Sequence, residues 1–360
     1  MSGTSTHKIP FAIPMPNNMG MVRYILAFAV LVNHFNLLVG GDFYFPLSSH
    51  EAVSGFFALS GFLIYGSYIR SKSASAFLKK RALRLLPPYA AVVIACAVGM
   101  AAVSSLSAAD YFVSPDFWKY LGANLSFLNF LHPTLPGVFD NMTIRAVDGS
   151  LWTMKIEWIM YLSVIPAVWI VSRMRRHRTV VFAVIYLLSA VYGIACMRMY
   201  DCTGNENWLI LERQVFGQIS YFYVGVFIYC HFDWFMKHRY TVPACAAVLY
   251  AVRLFSPYWT RFFIDPVSLG IIVIWLSMAG NWGHFENRLP NLSYSVYIVH
   301  WPIFQLAAMR GLADTLGLSL TFVISTAVTV TVSYLIYMTV EKPVKRYFSR
   351  RDKTVAGRRL

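Results

Sequence analysis

Long apolar runs separated by short basic or Gly/Pro-bearing segments set the layout of this chain. Runs near 22–40, 50–69, 88–107, 150–171, 180–197, 213–230, 241–255, 265–281, 291–309 and 318–340 each read as a helix crossing a bilayer, which takes about 20 mostly apolar residues. The run at 241–255 is the shortest. The pattern predicts an all-α integral membrane protein of about ten transmembrane helices. Residues 1–21 are expected to form an N-terminal segment, 22–340 the membrane domain and 341–360 a basic tail. Between the third and fourth runs, Phe117–Leu131 is aromatic and apolar and is expected to lie in the interface or re-enter the membrane. The stretch from Leu135 to Gly149 carries Pro and Gly turn signals.

Composition sharpens this picture. The chain of 360 residues is 58% hydrophobic and 13% charged, with mean hydropathy +0.54; a soluble domain carries about 25% charge. A net charge of +15 raises nucleic acid as a partner, but its distribution argues against that. With both termini on one side, that side collects 22 of the 31 Lys and Arg, and the other side 7. This positive-inside bias predicts cytoplasmic termini and basic loops against anionic membrane lipids. Pro10, Pro14, Pro16, Asn17 and Asn18 break any signal-peptide pattern, so the first span is expected to stay as an anchor. The five cysteines have no metal-ligand spacing and define no disulfide framework, although Cys196 and Cys202 could meet at the outer surface.

Two residues within the first run carry the candidate chemistry. Arg23 and His34 are eleven positions apart, which returns to nearly the same helix face after a rise of about 16 Å. His34 then lies about 18 Å in from the cytoplasm, Glu157 about 10 Å from the outer surface, and His300 about 13 Å from the inner one. In a hydrocarbon layer of about 30 Å these three converge on the middle to outer half. Ionisable groups are costly there and by default mark function. An imidazole beside a carboxylate suits a general base acting on a hydroxyl that arrives from outside. The plainer reading is that His34 and Glu157 hydrogen-bond neighbouring helices. Lys155 falls on another face from Glu157 and snorkels outward.

A second set lies at the cytoplasmic mouth. Arg81 and Arg84 are one helical turn apart before Pro87-Pro88, with Arg23 at the inner end of its span. Guanidinium groups bind phosphates bidentately, so the set suits a phosphate-bearing donor such as an acyl-coenzyme A thioester. Alone, the arginine pair also serves as an orientation signal. Gly55 to Gly61 permits close helix approach, with Ser60 able to bond across helices. Trp152, Trp158, Tyr161, Tyr294, Tyr297 and Trp301 read equally as interfacial anchors or as sugar-stacking platforms. Phosphate-loop, dinucleotide and nucleophile-elbow motifs are absent.

Taken together, these motifs resemble the acyltransferase-3 family of membrane-bound O-acyltransferases over about residues 17 to 347. Arg23 and His34 are similar to its R-x10-H motif, and Phe56 to Leu63 to its second-helix signature. Arg81 and Arg84 are similar to its R-x-x-R motif; Leu135 to Phe139 and Gly149 to Glu157 to the loop and helix that carry its glutamate. Leu292 to Tyr297 with His300-Trp-Pro302, and Glu341-Lys-Pro343, resemble its last two helices. Tyr24 stands where a small residue is common in the family.

The resemblance implies ten core helices, acyl-CoA (most simply acetyl-CoA) as donor substrate from the cytoplasm, no bound cofactor or metal, and an acceptor on the outer side. It also implies that the chain resembles stand-alone members, which lack the C-terminal hydrolase-like domain. The expected function is transfer of an acyl, most simply acetyl, group to a hydroxyl of a surface polysaccharide or lipid-linked glycan. His34 and Glu157 are the expected catalytic pair, Arg23, Arg81 and Arg84 hold the donor, and Ser60, Trp152, Tyr297 and His300 line the acceptor cavity. The competing reading is a multi-span transporter or flippase, since buried His and Glu also relay protons. The inverted repeats common in transporters are not detectable here.

Overall fold

A computed structural model describes residues 17–174, 177–279 and 290–348. The first sixteen residues of the expected N-terminal segment and the tail beyond 348 lie outside the described residues. Regular structure among the described residues is helical throughout. In chain order the helices are α1 (Met19–Val39), α2 (Ser49–Ile69), α3 (Ala74–Gly99), α4 (Ala108–Val113), α5 (Pro115–Leu125), α6 (Trp152–Arg173), α7 (Arg178–Thr203) and α8 (Asn207–Glu212). They continue with α9 (Val215–Cys230), α10 (Phe232–Lys237), α11 (Thr241–Leu254), α12 (Arg261–Met278), α13 (Ser293–Met309), α14 (Leu312–Leu316) and α15 (Leu318–Ile336).

Among the described residues, seven helices are long and apolar enough to cross a membrane: α1, α2, α3, α6, α7, α12 and α15. The other three expected runs coincide with shorter helices, α9 of 16 residues, α11 of 14 and α13 of 17. The causes are local. Gln214, with ψ near 179°, breaks the run at 213–230 between α8 and α9. Asn291 accepts from the Ser293 amide and hydroxyl, a local side-chain turn at the start of the run, and α13 begins at Ser293.

One boundary departs from the sequence expectation. The run at 88–107 begins instead at Ala74, and α3 carries Arg81 and Arg84 within it before passing through Pro87 and Pro88. Proline usually ends a helix because it lacks an N–H and crowds the preceding turn. Neighbouring groups make it tolerable in a membrane helix; the carbonyls that lose an N–H are those of Leu83 and Arg84, and one residue further on the Tyr294 hydroxyl donates to the Leu85 carbonyl at 3.0 Å. Phe117–Leu131 becomes the eleven-residue α5 and a turn. Ser114 caps the Asp116 amide, Pro115 opens the helix, and Phe117 and Tyr120 are buried while Trp118, Leu125, Phe130 and Leu131 face outward.

The chain divides into two compact units. The first comprises the described residues of Met1–Leu26, His50–Leu78 and Glu157–Pro290. Within it α9 packs against α7 and α12, and α12 against α11. Backbones of α2 and α9 meet directly: a Cβ on Gly61 would lie 1.8 Å from the Phe222 carbonyl oxygen, and one on Gly225 2.0 Å from that of Ala58. Only glycine allows this approach.

The second unit comprises Ala27–Ser49, Lys79–Ile156 and the described part of Asn291–Leu360. Here α13 packs against α15, and Phe35, fully buried, stands edge-on to Phe304 and Phe322 at 5.4 and 5.0 Å. On α15 the inward residues are Thr321, Ser325, Thr329 and Ser333, while Leu320, Val323, Ile324 and Leu335 face outward. Small hydroxyl residues inside and aliphatic ones outside is the packing pattern expected where lipid is the solvent.

Candidate active site

In the second unit two predicted residues, His34 and His300, come into direct contact. His34 lies near the end of α1, and its neighbours in sequence fix it there. Asn33 donates to the Ala29 and Leu47 carbonyls at 2.8 and 2.9 Å, Phe35 is locked among aromatic rings, and Asn36 bonds both the amide and the carbonyl of Phe43. With its helix held on both sides, the half-buried imidazole meets His300 of α13, Nδ1 to Nε2, at 2.7 Å. The ring planes are 12° apart with centroids at 5.0 Å. Together with the short N···N distance, this places the imidazoles edge to edge in nearly one plane, the geometry of a hydrogen bond and not of a face-on stack.

The protons on this pair follow from its far end. His300 is fully buried, and its Nδ1 lies 3.2 Å from the Val296 carbonyl oxygen, one turn earlier in α13. A carbonyl only accepts, so His300 Nδ1 carries a hydrogen and Nε2 of the neutral ring presents its lone pair. His34 Nδ1–H therefore donates to it. That leaves His34 Nε2 with an available lone pair and no hydrogen-bond partner among the described residues. An imidazole held by one nitrogen and open at the other is the arrangement of a general base or acyl acceptor.

Trp301, next along α13, stands edge-on to the His34 ring at 4.9 Å and donates to the Ala146 carbonyl at 3.2 Å. Gln305, one turn on, donates to the Ile144 and Ala146 carbonyls. A Cβ on Gly149 would sit 2.4 Å from the Trp301 ring, so this glycine lets the indole take its place. Asp148 starts the turn into α6: its Oδ1 accepts from the Ser150 amide at 2.9 Å and the Ser150 hydroxyl at 2.7 Å. The Ser150 carbonyl accepts from the Thr153 hydroxyl at 3.2 Å, and the Tyr297 hydroxyl oxygen lies 3.1 Å from that same Thr153 oxygen. Asp148 is 5% exposed and its Oδ2 has no partner among the described residues. Burial pushes its carboxyl up to about 7, with the two Ser150 hydrogen bonds holding it back.

Of the other predicted residues, Trp152 and buried Tyr297 belong to the same unit, as do Arg81 and Arg84 on α3. Arg81 is buried; Arg84 is half-buried and makes no ion pair among the described residues. Arg23, Ser60 and Glu157 belong to the first unit, where the Glu157 carboxylate accepts from the Tyr161 hydroxyl. The hydrogen bond that orients His34 comes from His300. Glu341 takes the Ser295 hydroxyl and pairs with Lys345 at 3.0 Å, fixing the start of α13. The described residues hold no group of three or more His, Cys, Asp or Glu suited to a metal ion, and all five cysteines are free.

Sequence reasoning reached both histidines but missed Asp148 and gave Trp301 no part beside His34. The signal for Asp148 was present: an Asp-Gly-Ser run directly before an apolar helix is a capping pattern. Trp301 gave no comparable signal, because an aromatic in a span reads equally as an anchor.

Residues 17–338 match the Acyltransferase domain family. Nodulation protein 10 of Rhizobium leguminosarum bv. viciae is 24% identical over 319 residues, which covers 79% of this chain and 82% of that protein. An O-acetyl transferase of Shigella phage Sf6 is 26% identical over 213 residues, 51% of this chain and 63% of the phage protein. No solved structure shows significant similarity. A match over nearly the whole described chain, with the motif histidine set in an oriented imidazole pair, identifies the chain as a member of the acyltransferase-3 family.

Proposed function

We propose that this protein is a membrane O-acetyltransferase that moves an acetyl group from cytoplasmic acetyl-CoA to a hydroxyl of an extracytoplasmic glycan or lipid-linked sugar. The observation that carries this reading is the Val296–His300–His34 hydrogen-bond chain, which leaves His34 Nε2 as the available lone pair. In direct transfer that nitrogen takes the proton of the acceptor hydroxyl as its oxygen attacks the thioester carbonyl. The C–S bond then breaks, and the departing thiolate takes the proton back from His34, giving an ester and free coenzyme A. An acyl-histidine route uses the same lone pair as nucleophile.

Arg81 and Arg84 sit one turn apart on α3 and, with Arg23, supply the planar donors suited to the phosphates of the donor. Glu157 and Ser60 keep the catalytic and acceptor roles that their motifs suggest, and Trp152 and Tyr297 line the acceptor side with His300. The ten-span topology with cytoplasmic termini rests on the apolar runs and the charge bias of the loops, and placement in a bacterial inner membrane on the family resemblance. The phage relative's name, an O-acetyl transferase, supports acetyl as the group moved. His34→Ala is expected to abolish glycan O-acetylation while the protein still accumulates in the membrane; acetylation at the parental level would reject the assignment.

A further inference from the structure

Trp301 follows His300 on α13 and takes no part in the chemistry above. By sequence such a ring serves as an interfacial anchor or as a platform for a sugar. Its surroundings fit neither. Only 7% of the residue is exposed, which leaves no ring face open to a ligand. Its N–H donates to the Ala146 carbonyl at 3.2 Å and so is not turned to the membrane surface. The loop that receives it is held in turn. Gln305, fully buried one turn along α13, donates to the Ile144 and Ala146 carbonyls at 2.7 and 3.1 Å, and Asp148 Oδ1 caps the Ser150 amide at 2.9 Å. Gly149 lies within that turn. A Cβ there would stand 2.4 Å from Cζ2 of the indole and 2.7 Å from Cε2 and Cη2, too close for both to stay in place. The seat therefore takes the indole only with glycine at 149.

The consequence falls on His34. Its hydrogen bond to His300 at 2.7 Å fixes one atom of the imidazole, Nδ1. The torsion between such a ring and its Cβ has a broad minimum, so one bond at one atom leaves the ring free to tilt about it. The Trp301 indole is the second contact, with centroids at 4.9 Å and planes 78° apart. Edge-to-face contacts between rings are directional. The two contacts together fix the plane in which Nε2 lies. Group transfer is sensitive to that aim, because a misplacement of about 1 Å can cost about a hundredfold in rate.

We infer that Trp301 is a positioning residue: pinned by the Ala146 carbonyl and seated on Gly149, its indole holds the His34 ring in the plane that aims Nε2 at the reacting groups. The inference rests on the acyltransferase reading of His34. Two measurements test it. One follows label from acetyl-CoA, as the varied substrate, into endogenous glycan in membrane preparations. The other records NMR spectra of the purified full-length protein in detergent with ring-labelled histidine, the His34 signal being the one lost in His34→Gln. Trp301→Leu is expected to lower kcat roughly tenfold or more with KM for acetyl-CoA within about twofold of the parent. It is also expected to move the His34 ring signal, since the ring current of the indole is gone. Trp301→Phe keeps an aromatic edge and is expected to retain more of kcat than Trp301→Leu. Gly149→Ala is expected to act like Trp301→Leu by displacing the indole. Joined to Trp301→Phe it should add no further loss, because Cζ2 and Cη2 lie beyond the reach of a phenyl ring. Should Trp301→Leu not accumulate, the Gly149→Ala and Trp301→Phe cycle decides alone. Parental kcat in Trp301→Leu or Gly149→Ala, a loss confined to KM, an unmoved His34 signal, or losses that multiply in the double variant would overturn the inference. Trp301→Leu at the parental rate beside an inactive His34→Gln rejects this inference and leaves the acyltransferase reading in place. Parental acetylation by His34→Gln rejects the role of His34 and takes this inference with it.

Discussion

His34 is a residue whose chemistry is decided by its neighbours. Its Nδ1 is committed to His300, and His300 is committed to a backbone carbonyl, so the proton order along the pair runs one way. Both histidines were legible because ionisable residues in apolar runs stand out. Their contact was not, since sequence gives depth along a helix but not which helices adjoin. Asp148 was less visible because its role depends on burial. Its carboxyl rises from 3.8 to about 7 in the folded protein, so the native state holds the proton more tightly than the unfolded chain. The stability this group contributes is full below about pH 4 and is lost as pH rises through about 7. The loss amounts to about 4 kcal/mol at most. Asp148→Asn keeps a capping side chain but cannot ionise. Thermal unfolding in detergent should therefore show the variant level with the parent near pH 4 and several degrees more stable at pH 8. Curves that run parallel across that range would contradict a buried, titrating Asp148.

Among the elements, the helices were the most legible part of the chain, because runs of apolar residues report helices in lipid with little ambiguity. All ten expected runs overlap a helix. The start of α3 was not legible. Pro87-Pro88 signals a boundary by local rules, yet the helix runs through both prolines. Close helix approach was half legible: Gly61 marks one side of the α2–α9 contact, but nothing in the sequence pairs it with Gly225. At Gly225 a methyl group would meet the Ala58 carbonyl at 2.0 Å and the Phe62 amide nitrogen at 2.7 Å, and backbone cannot give way as a side chain can. Gly225→Ala is expected to cost about 1–3 kcal/mol or more, seen as a lowered thermal midpoint and less monodisperse protein. Gly99→Ala, where nothing lies within 4 Å, should be close to neutral. Equal midpoints for the two variants would contradict direct backbone contact between α2 and α9.

For the whole molecule, charge and chemistry point the same way. In the ten-span reading one side carries 22 of the 31 cationic side chains, among them the proposed donor residues Arg81 and Arg84. The proposed acceptor is on the other, so the proposed reaction carries the acyl group across the bilayer by way of His34. The most direct measurement uses proteoliposomes with the protein inserted in one orientation, labelled acetyl-CoA on the face carrying the basic loops, and glycan acceptor enclosed on the opposite face. Wild-type protein is expected to place label on the enclosed glycan, and His34→Gln to place none. Equal labelling by His34→Gln, or label found only on glycan supplied to the same side as the donor, would contradict transfer across the membrane through this histidine.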